Sequence, residues 1–175
     1  VQGFNGLTDD LLVFLKEKNI PLIEDVCESH GAMFKEKKLG SYGLISNFSF
    51  YYAHHMTTIE GGMICTNDIT IYEQLRMLRS HGMAREISDP NLKQKIALDN
   101  VELNPDFIFM YPSYNVRNNE IGGILGISQL PRLDNDNIKR NNNLFKFLDL
   151  LNEKIFFKDF LRDGCSNYAF NLIIK

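Results

Sequence analysis

The chain has 175 residues, 44% hydrophobic and 23% charged, with 19 basic against 22 acidic residues and a formal net charge of −3. That balance excludes a basic nucleic-acid footprint and a polybasic membrane patch, and no apolar run reaches the length of a membrane span or reads as a secretory signal. Cys27, Cys65 and Cys165 are widely spaced with no C-x-x-C pair, as expected of reduced, mostly buried thiols in a cytoplasmic protein.

The length suits one domain, or one domain with part of another. The chain opens on Val1-Gln2-Gly3 without a methionine and ends on Ile173-Ile174-Lys175 inside a strand-like pattern. We therefore expect an internal piece of a longer protein. Thr8-Asp9-Asp10 reads as an N-cap with an acidic first turn, followed by a helical stripe at Leu11, Leu12, Phe14 and Leu15. Pro21-Leu22-Ile23 predicts a short buried strand ending in Glu24-Asp25. Asp25 stands at the carboxyl end of that strand, where α/β sheets place functional groups, although on that residue alone a helix cap is the better reading. Gly40 and Gly43 mark a loop, and Phe48 to Ala53 predicts a buried strand. Met63 to Thr66 predicts another strand, and Asp68 caps a helix that ends near Ser80-His81-Gly82.

Residues 85–103 are polar and weakly periodic, so they read as a surface excursion. The aromatic stretch from Pro105 to Tyr114 suits core, a ligand wall or a subunit interface. A helix is predicted over 118–130 with a Gly122-Gly123 pair, ended by Pro131, and a long helix over 134–152. Residues 166–174 predict a strand. Strands alternate with helices in the first half, so the class is α/β with a mainly parallel sheet.

The stretch His54-His55-Met56-Thr57-Thr58-Ile59-Glu60-Gly61-Gly62 carries the densest chemistry. Imidazole titrates nearest neutrality, so a histidine at a strand end is a candidate acid–base group, against the plainer reading of a structural histidine. Adjacent side chains on a strand diverge, so one of the pair faces a given site and a His-His metal pair is not expected.

Several stretches together resemble the pyridoxal-phosphate sugar aminotransferase family named DegT/DnrJ/EryC1/StrS. They are Ile23 to Ala32, Phe48-Ser49-Phe50, Glu60-Gly61-Gly62, Leu78 to Gly82 and Tyr114 to Ile121. The resemblance covers nearly the whole chain and implies an aspartate-aminotransferase-like fold. Residues 1–133 would belong to the large cofactor-binding domain. Residues 134–175 would form the connecting helix and the start of a small C-terminal α/β domain. In the family a lysine that binds the cofactor aldehyde covalently stands five residues after the serine of Phe-Ser-Phe. Here that position is His54. Imidazole cannot make that bond, but it can move a proton.

The resemblance is then to the branch that dehydrates nucleotide-linked 4-keto-6-deoxy sugars at C3, with pyridoxamine phosphate as working cofactor and L-glutamate as amino donor. A related branch acting on a CDP-linked sugar carries an iron–sulfur cluster. Three separated thiols cannot supply four thiolates, which favours the GDP-linked branch. No metal is expected. The resemblance makes His54 the base, Asp25 the partner of the ring nitrogen, Glu28 the neighbour of the ring hydroxyl and Ser49 a phosphate ligand. Asn115 would reach the phosphate from the partner subunit of a homodimer. His81 and Arg117 are weaker substrate candidates, and Arg117 suits a salt bridge nearly as well. The alternatives are a nucleotide-sugar aminotransferase and a non-catalytic cofactor-binding homologue.

Overall fold

Thr8 leaves the helical conformation at φ −133° and its side chain accepts from the Leu11 amide, so the first helix, α1 (Asp9–Glu17), starts where a capping residue dictates. The computed structural model describes residues 2–175. They form two compact units, one of residues 2–63 and 120–175, the other of residues 64–119.

In the first unit, β1 (Ile23–Asp25) pairs in parallel with β4 (Ile45–Ser49), with Ile23 opposite Ile45 and Asp25 opposite Asn47. Between them lies a small antiparallel hairpin, β2 (Met33–Phe34) with β3 (Lys37–Lys38). β5 (Gly62–Thr66) completes a three-stranded sheet in the order β1-β4-β5, and its first residues belong to this unit. The first strand ends in Glu24-Asp25 as expected, but it starts at Ile23 rather than Pro21, and Ile23 is exposed rather than buried. Strand alternation turns Glu24 inward and leaves Asp25 exposed. The buried Glu24 carboxylate accepts three backbone amides, from Gly40 at 2.6 Å, Tyr42 at 2.7 Å and Gly43 at 2.6 Å. Gly40 sits at φ +92°, and a Cβ there would lie 2.6 Å from the Phe48 ring. The two glycines therefore serve a carboxylate-anchored loop.

α4 (Glu120–Gln129) and α5 (Leu133–Leu150) are separated by a 3₁₀ turn at Leu130–Arg132 that contains Pro131. Gly122 is buried, whereas Gly123 faces open space, so only the first of the pair serves close packing. Leu144 and Leu148 of α5 form a buried cluster with Cys165, against which Phe4, Phe145, Leu151 and Phe160 pack. Residues 166–174 are not the predicted strand. They run extended, joined at one bridge between Phe156 and Ile174, and Ser166 and Tyr168 donate to the carbonyls of Gly3 and Gln2.

In the second unit, α2 (Ile69–Leu78) is capped by Asp68, which accepts from the Ile71 amide. The expected surface excursion at 85–103 is instead structured. A 3₁₀ turn at Ala84–Glu86 leads to α3 (Pro90–Asp99), whose start is set by the Asp89 cap and a proline in the first turn. Ile87 and Ile96 join Met77, Ala84 and Ile108 in the core of this unit. Few apolar residues sufficed to bury that segment, so its periodicity was faint. The buried Glu73 carboxylate accepts from the hydroxyl and amide of Ser88 and from the Asp89 amide, tying α2 to the start of α3. Of the aromatic stretch, Phe107, Phe109 and Tyr114 are exposed and Tyr111 packs on the core. No helix among the described residues is long and apolar enough to cross a membrane.

Candidate active site

Parallel pairing of β1 and β4 brings the ends of both strands to one edge of the sheet. Asp25, the last residue of β1, accepts from the Cys27 amide at 3.1 Å and from Asn47 Nδ2 at 3.0 Å. Hydrogen bonds from the Cys27 thiol and amide, with that from Asn47, hold the Asp25 carboxyl below its usual range despite some burial. Cys27 responds in the opposite sense. Burial, with the Asp25 carboxylate beside it, pushes its thiol up to about 11, so it stays protonated and is no nucleophile at neutral pH. Ser49 ends β4, and its Oγ accepts from the Tyr51 amide at 3.3 Å. A hydroxyl that accepts this bond still has its proton to donate.

His54 does not stand at a strand end. β4 stops at Ser49, and residues 51–60 form a loop closed at its base by Phe50 N to Gly61 O at 2.8 Å and Thr58 N to Phe50 O at 2.9 Å. Gln129 of α4 pins this loop, accepting from the Thr57 amide at 3.0 Å and donating to the Thr57 carbonyl. Inside it, the His54 ring meets Tyr51, Tyr168 and His30 at centroid distances of 5.7, 5.4 and 6.2 Å. His54 Nδ1 is buried with no partner among the described residues.

The expectation that His54 and His55 diverge does not hold, because a turn lacks the strand's alternation. The His55 ring meets two of the same three neighbours, His30 at 5.6 Å and Tyr168 at 5.8 Å. His30 is buried, and its ring lies 5.8 Å from those of Phe48 and Phe50, on either side of Ser49 in sequence, and 6.2 Å from that of His54. Burial drives His30 down to about 4, and the neighbouring imidazoles add to this. Glu28 turns elsewhere: its Oε2 accepts from the Gln2 amide at 3.1 Å and the Gln2 side chain at 3.3 Å. Sequence reasoning passed over Asn47, His30 and Tyr168. Asn47 was within reach, being two residues before Ser49 and so on the same strand face. Tyr168 had no local signal.

The other three candidates lie in the second unit. His81 adopts φ +59° and lines a depression of about 390 Å³ with Phe109, Tyr111 and Ser113. Gly82 beside it, at φ +75°, would place a Cβ 2.0 Å from the Tyr111 carbonyl, so no other residue fits. Asn115 is exposed, and its Oδ1 accepts from Arg117 Nε at 3.0 Å. Arg117 also faces Glu86 at 3.9 Å, a carboxylate shared with Arg79 at 3.7 Å and Arg85 at 3.9 Å. Glu86 is a residue the sequence did not single out. No metal-binding group of three or more His, Cys, Asp or Glu occurs among the described residues.

The sequence pattern of the DegT/DnrJ/EryC1/StrS aminotransferase family matches residues 8–157. The chain is 36% identical over 168 residues to the GDP-4-keto-6-deoxy-D-mannose 3-dehydratase of Escherichia coli O55:H7, covering 95% of this chain and 43% of that one. It is 33% identical over 146 residues to a UDP-4-amino-4,6-dideoxy-N-acetyl-beta-L-altrosamine transaminase of Campylobacter jejuni, covering 83% of this chain and 34% of that protein. Its backbone matches the crystal structure of GDP-4-keto-6-deoxymannose-3-dehydratase with a trapped PLP-glutamate geminal diamine, with TM-score 0.76 and 31% identity, over 100% of this chain and 45% of that one. The chain thus spans less than half the length of these relatives. The mixed α/β architecture is that part of an aminotransferase fold, and the chain belongs to the DegT/DnrJ/EryC1/StrS aminotransferase family.

Proposed function

We propose that this chain is part of an enzyme that removes the C3 hydroxyl of a nucleotide-linked 4-keto-6-deoxy hexose. It would use pyridoxamine phosphate, regenerated with glutamate, and lead toward a 3,6-dideoxy sugar. The observation that carries the reading is an imidazole, His54, in the loop where the family places its lysine, with a buried Nδ1 that no described residue satisfies.

The residues at the sheet edge fit the cofactor. Asp25 is held as a carboxylate, the charge that keeps a proton on a pyridine nitrogen. Ser49 keeps a hydroxyl proton to donate to a phosphate oxygen. Glu28 is tied to Gln2 and would meet the ring hydroxyl only through its other oxygen. Once bound, the cofactor supplies an electron sink. His54 takes a proton from carbon at an imidazole nitrogen and returns one as the hydroxyl leaves. His81 and Arg117 are proposed for the anionic groups of substrate or glutamate, and Asn115 for a phosphate contact across a homodimer. Residues 1–133 are proposed as part of the cofactor-binding domain and α5 as the connector to the small domain.

The test is product analysis with a 4-keto-6-deoxy nucleotide sugar and glutamate. Free ammonia with a deoxygenated sugar supports dehydration. An amino sugar would assign the protein to amination, the chemistry of its transaminase relatives.

A further inference from the structure

His54 lies five residues beyond the last residue of β4, and its buried Nδ1 has no hydrogen-bond partner among the described residues. A loop imidazole so placed needs something else to fix it. Its neighbour is the anchored one. His55 Nε2 lies 2.8 Å from the carbonyl oxygen of Ser166, 111 residues along the chain. A carbonyl only accepts, so Nε2 carries the hydrogen and the tautomer of His55 is set. Burial pushes His55 below its ordinary value, so the ring is neutral and the bond is a neutral one.

The acceptor is itself immobilised. Ser166 is fully buried, and its amide donates to Gly3 at 2.8 Å. Asn141 of α5 grips the residues on either side, donating to the Cys165 carbonyl at 2.7 Å and accepting from the Asn167 amide at 2.8 Å. Tyr168 then lays its ring against both imidazoles while its amide donates to Gln2. His30 meets both from its own turn. The histidine pair is clamped between His30 and a strap held by α5, and it is His55 that makes a directed bond to that strap.

We propose that His55 is a positioning residue, which holds His54 in place through the Ser166 carbonyl. The inference rests on the reading of His54 as the base, but its main readout does not. His55→Phe keeps a planar ring in the clamp and removes the donor. His55→Gln loses the ring and restores an N–H that reaches a carbonyl.

The experiment follows the His54 imidazole signals by isotope-edited NMR in the cofactor-free protein, together with melting temperature, kcat and KM. In His55→Phe the His54 signals shift or broaden, and kcat falls by about 10- to 100-fold with KM little changed, as for a misplaced catalytic group. In His55→Gln both return toward wild type. Unchanged His54 signals in His55→Phe overturn the proposal, as does an equal loss in Phe and Gln variants of native melting temperature. If His55→Phe melts early, Asn141→Leu loosens the same strap, and unchanged His54 signals there also overturn it. A His54→Asn variant that still releases ammonia would defeat the functional reading alone, leaving the NMR comparison to decide the role of His55.

Discussion

Asn47 Nδ2 donates to Asp25 Oδ1 across 3.0 Å, from β4 to the last residue of β1. The bond exists because the parallel register sets these two residues opposite each other. It falls on the same oxygen as the Cys27 amide bond, and both favour the ionised carboxylate.

Asp25→Asn should therefore fold normally, since Asp25 is exposed and an asparagine oxygen can still accept from Cys27. Cofactor binding should weaken by about 30- to 100-fold, the worth of a charge-assisted hydrogen bond of ~2–3 kcal/mol. Asn47→Leu should act in the same direction with smaller size. Absorbance titration with pyridoxamine phosphate measures both. Unchanged affinity in Asp25→Asn would reduce Asp25 to a turn-forming residue.

Glu24 is the inward counterpart of Asp25 and does different work. Its two oxygens satisfy three loop amides in a buried setting. Glu24→Gln offers one acceptor oxygen and turns an amide group against the remaining N–H donors. The expected loss is about 3 kcal/mol, the cost of unmade buried hydrogen bonds to a charged group. Urea denaturation reads it directly, and a loss below about 1 kcal/mol would mean that the Gly40–Gly43 loop is held by other contacts.

Local signals made much of the fold legible. Thr8 and Asp68 cap the helices their sequence announces, and the strand beginning at Gly62 and helix α2 follow their patterns. Where the reading failed, the determinant was distant. α3 carries little apolar periodicity and is defined by its Asp89-Pro90 start and by Ile87 and Ile96 packing on α2. Residues 166–174 have strand-like composition, but their bonds go to Gly3, Gln2 and the His55 ring, so no ladder forms. At the candidate site, the motif pointed to Asp25, Ser49 and His54, which lie at the ends of β1 and β4 and in the loop that follows. The contacts of His55 with Ser166 and Tyr168 join segments more than a hundred residues apart, and no spacing rule foretells them.

The buried imidazoles make stability depend on pH. His30 falls from an ordinary 6.5 to about 4 because burial disfavours its charged form, and His55 is shifted the same way. Between those values the unfolded chain binds more protons than the folded one, so stability rises with pH there. It should be full above pH 6.5 and decline on acidification toward pH 4. Denaturation midpoints across this window should fall in the wild type, and the slope should flatten in His30→Phe. An equal slope in both would remove His30 from the account.

The last prediction concerns His54 itself. His54→Asn keeps size and polarity but cannot act as a base, so cofactor should still bind while ammonia release falls by at least about 100-fold. His54→Lys places a primary amine where the family has one. Borohydride reduction with pyridoxal phosphate should then leave a covalent adduct on residue 54, deoxygenation should be suppressed, and the wild type should show no adduct there. Peptide mapping of the reduced adduct and ammonia release across the three proteins separate the outcomes. An adduct on His54 or its immediate neighbours in the wild type would refute the assignment of an acid–base imidazole. So would full ammonia release by His54→Asn.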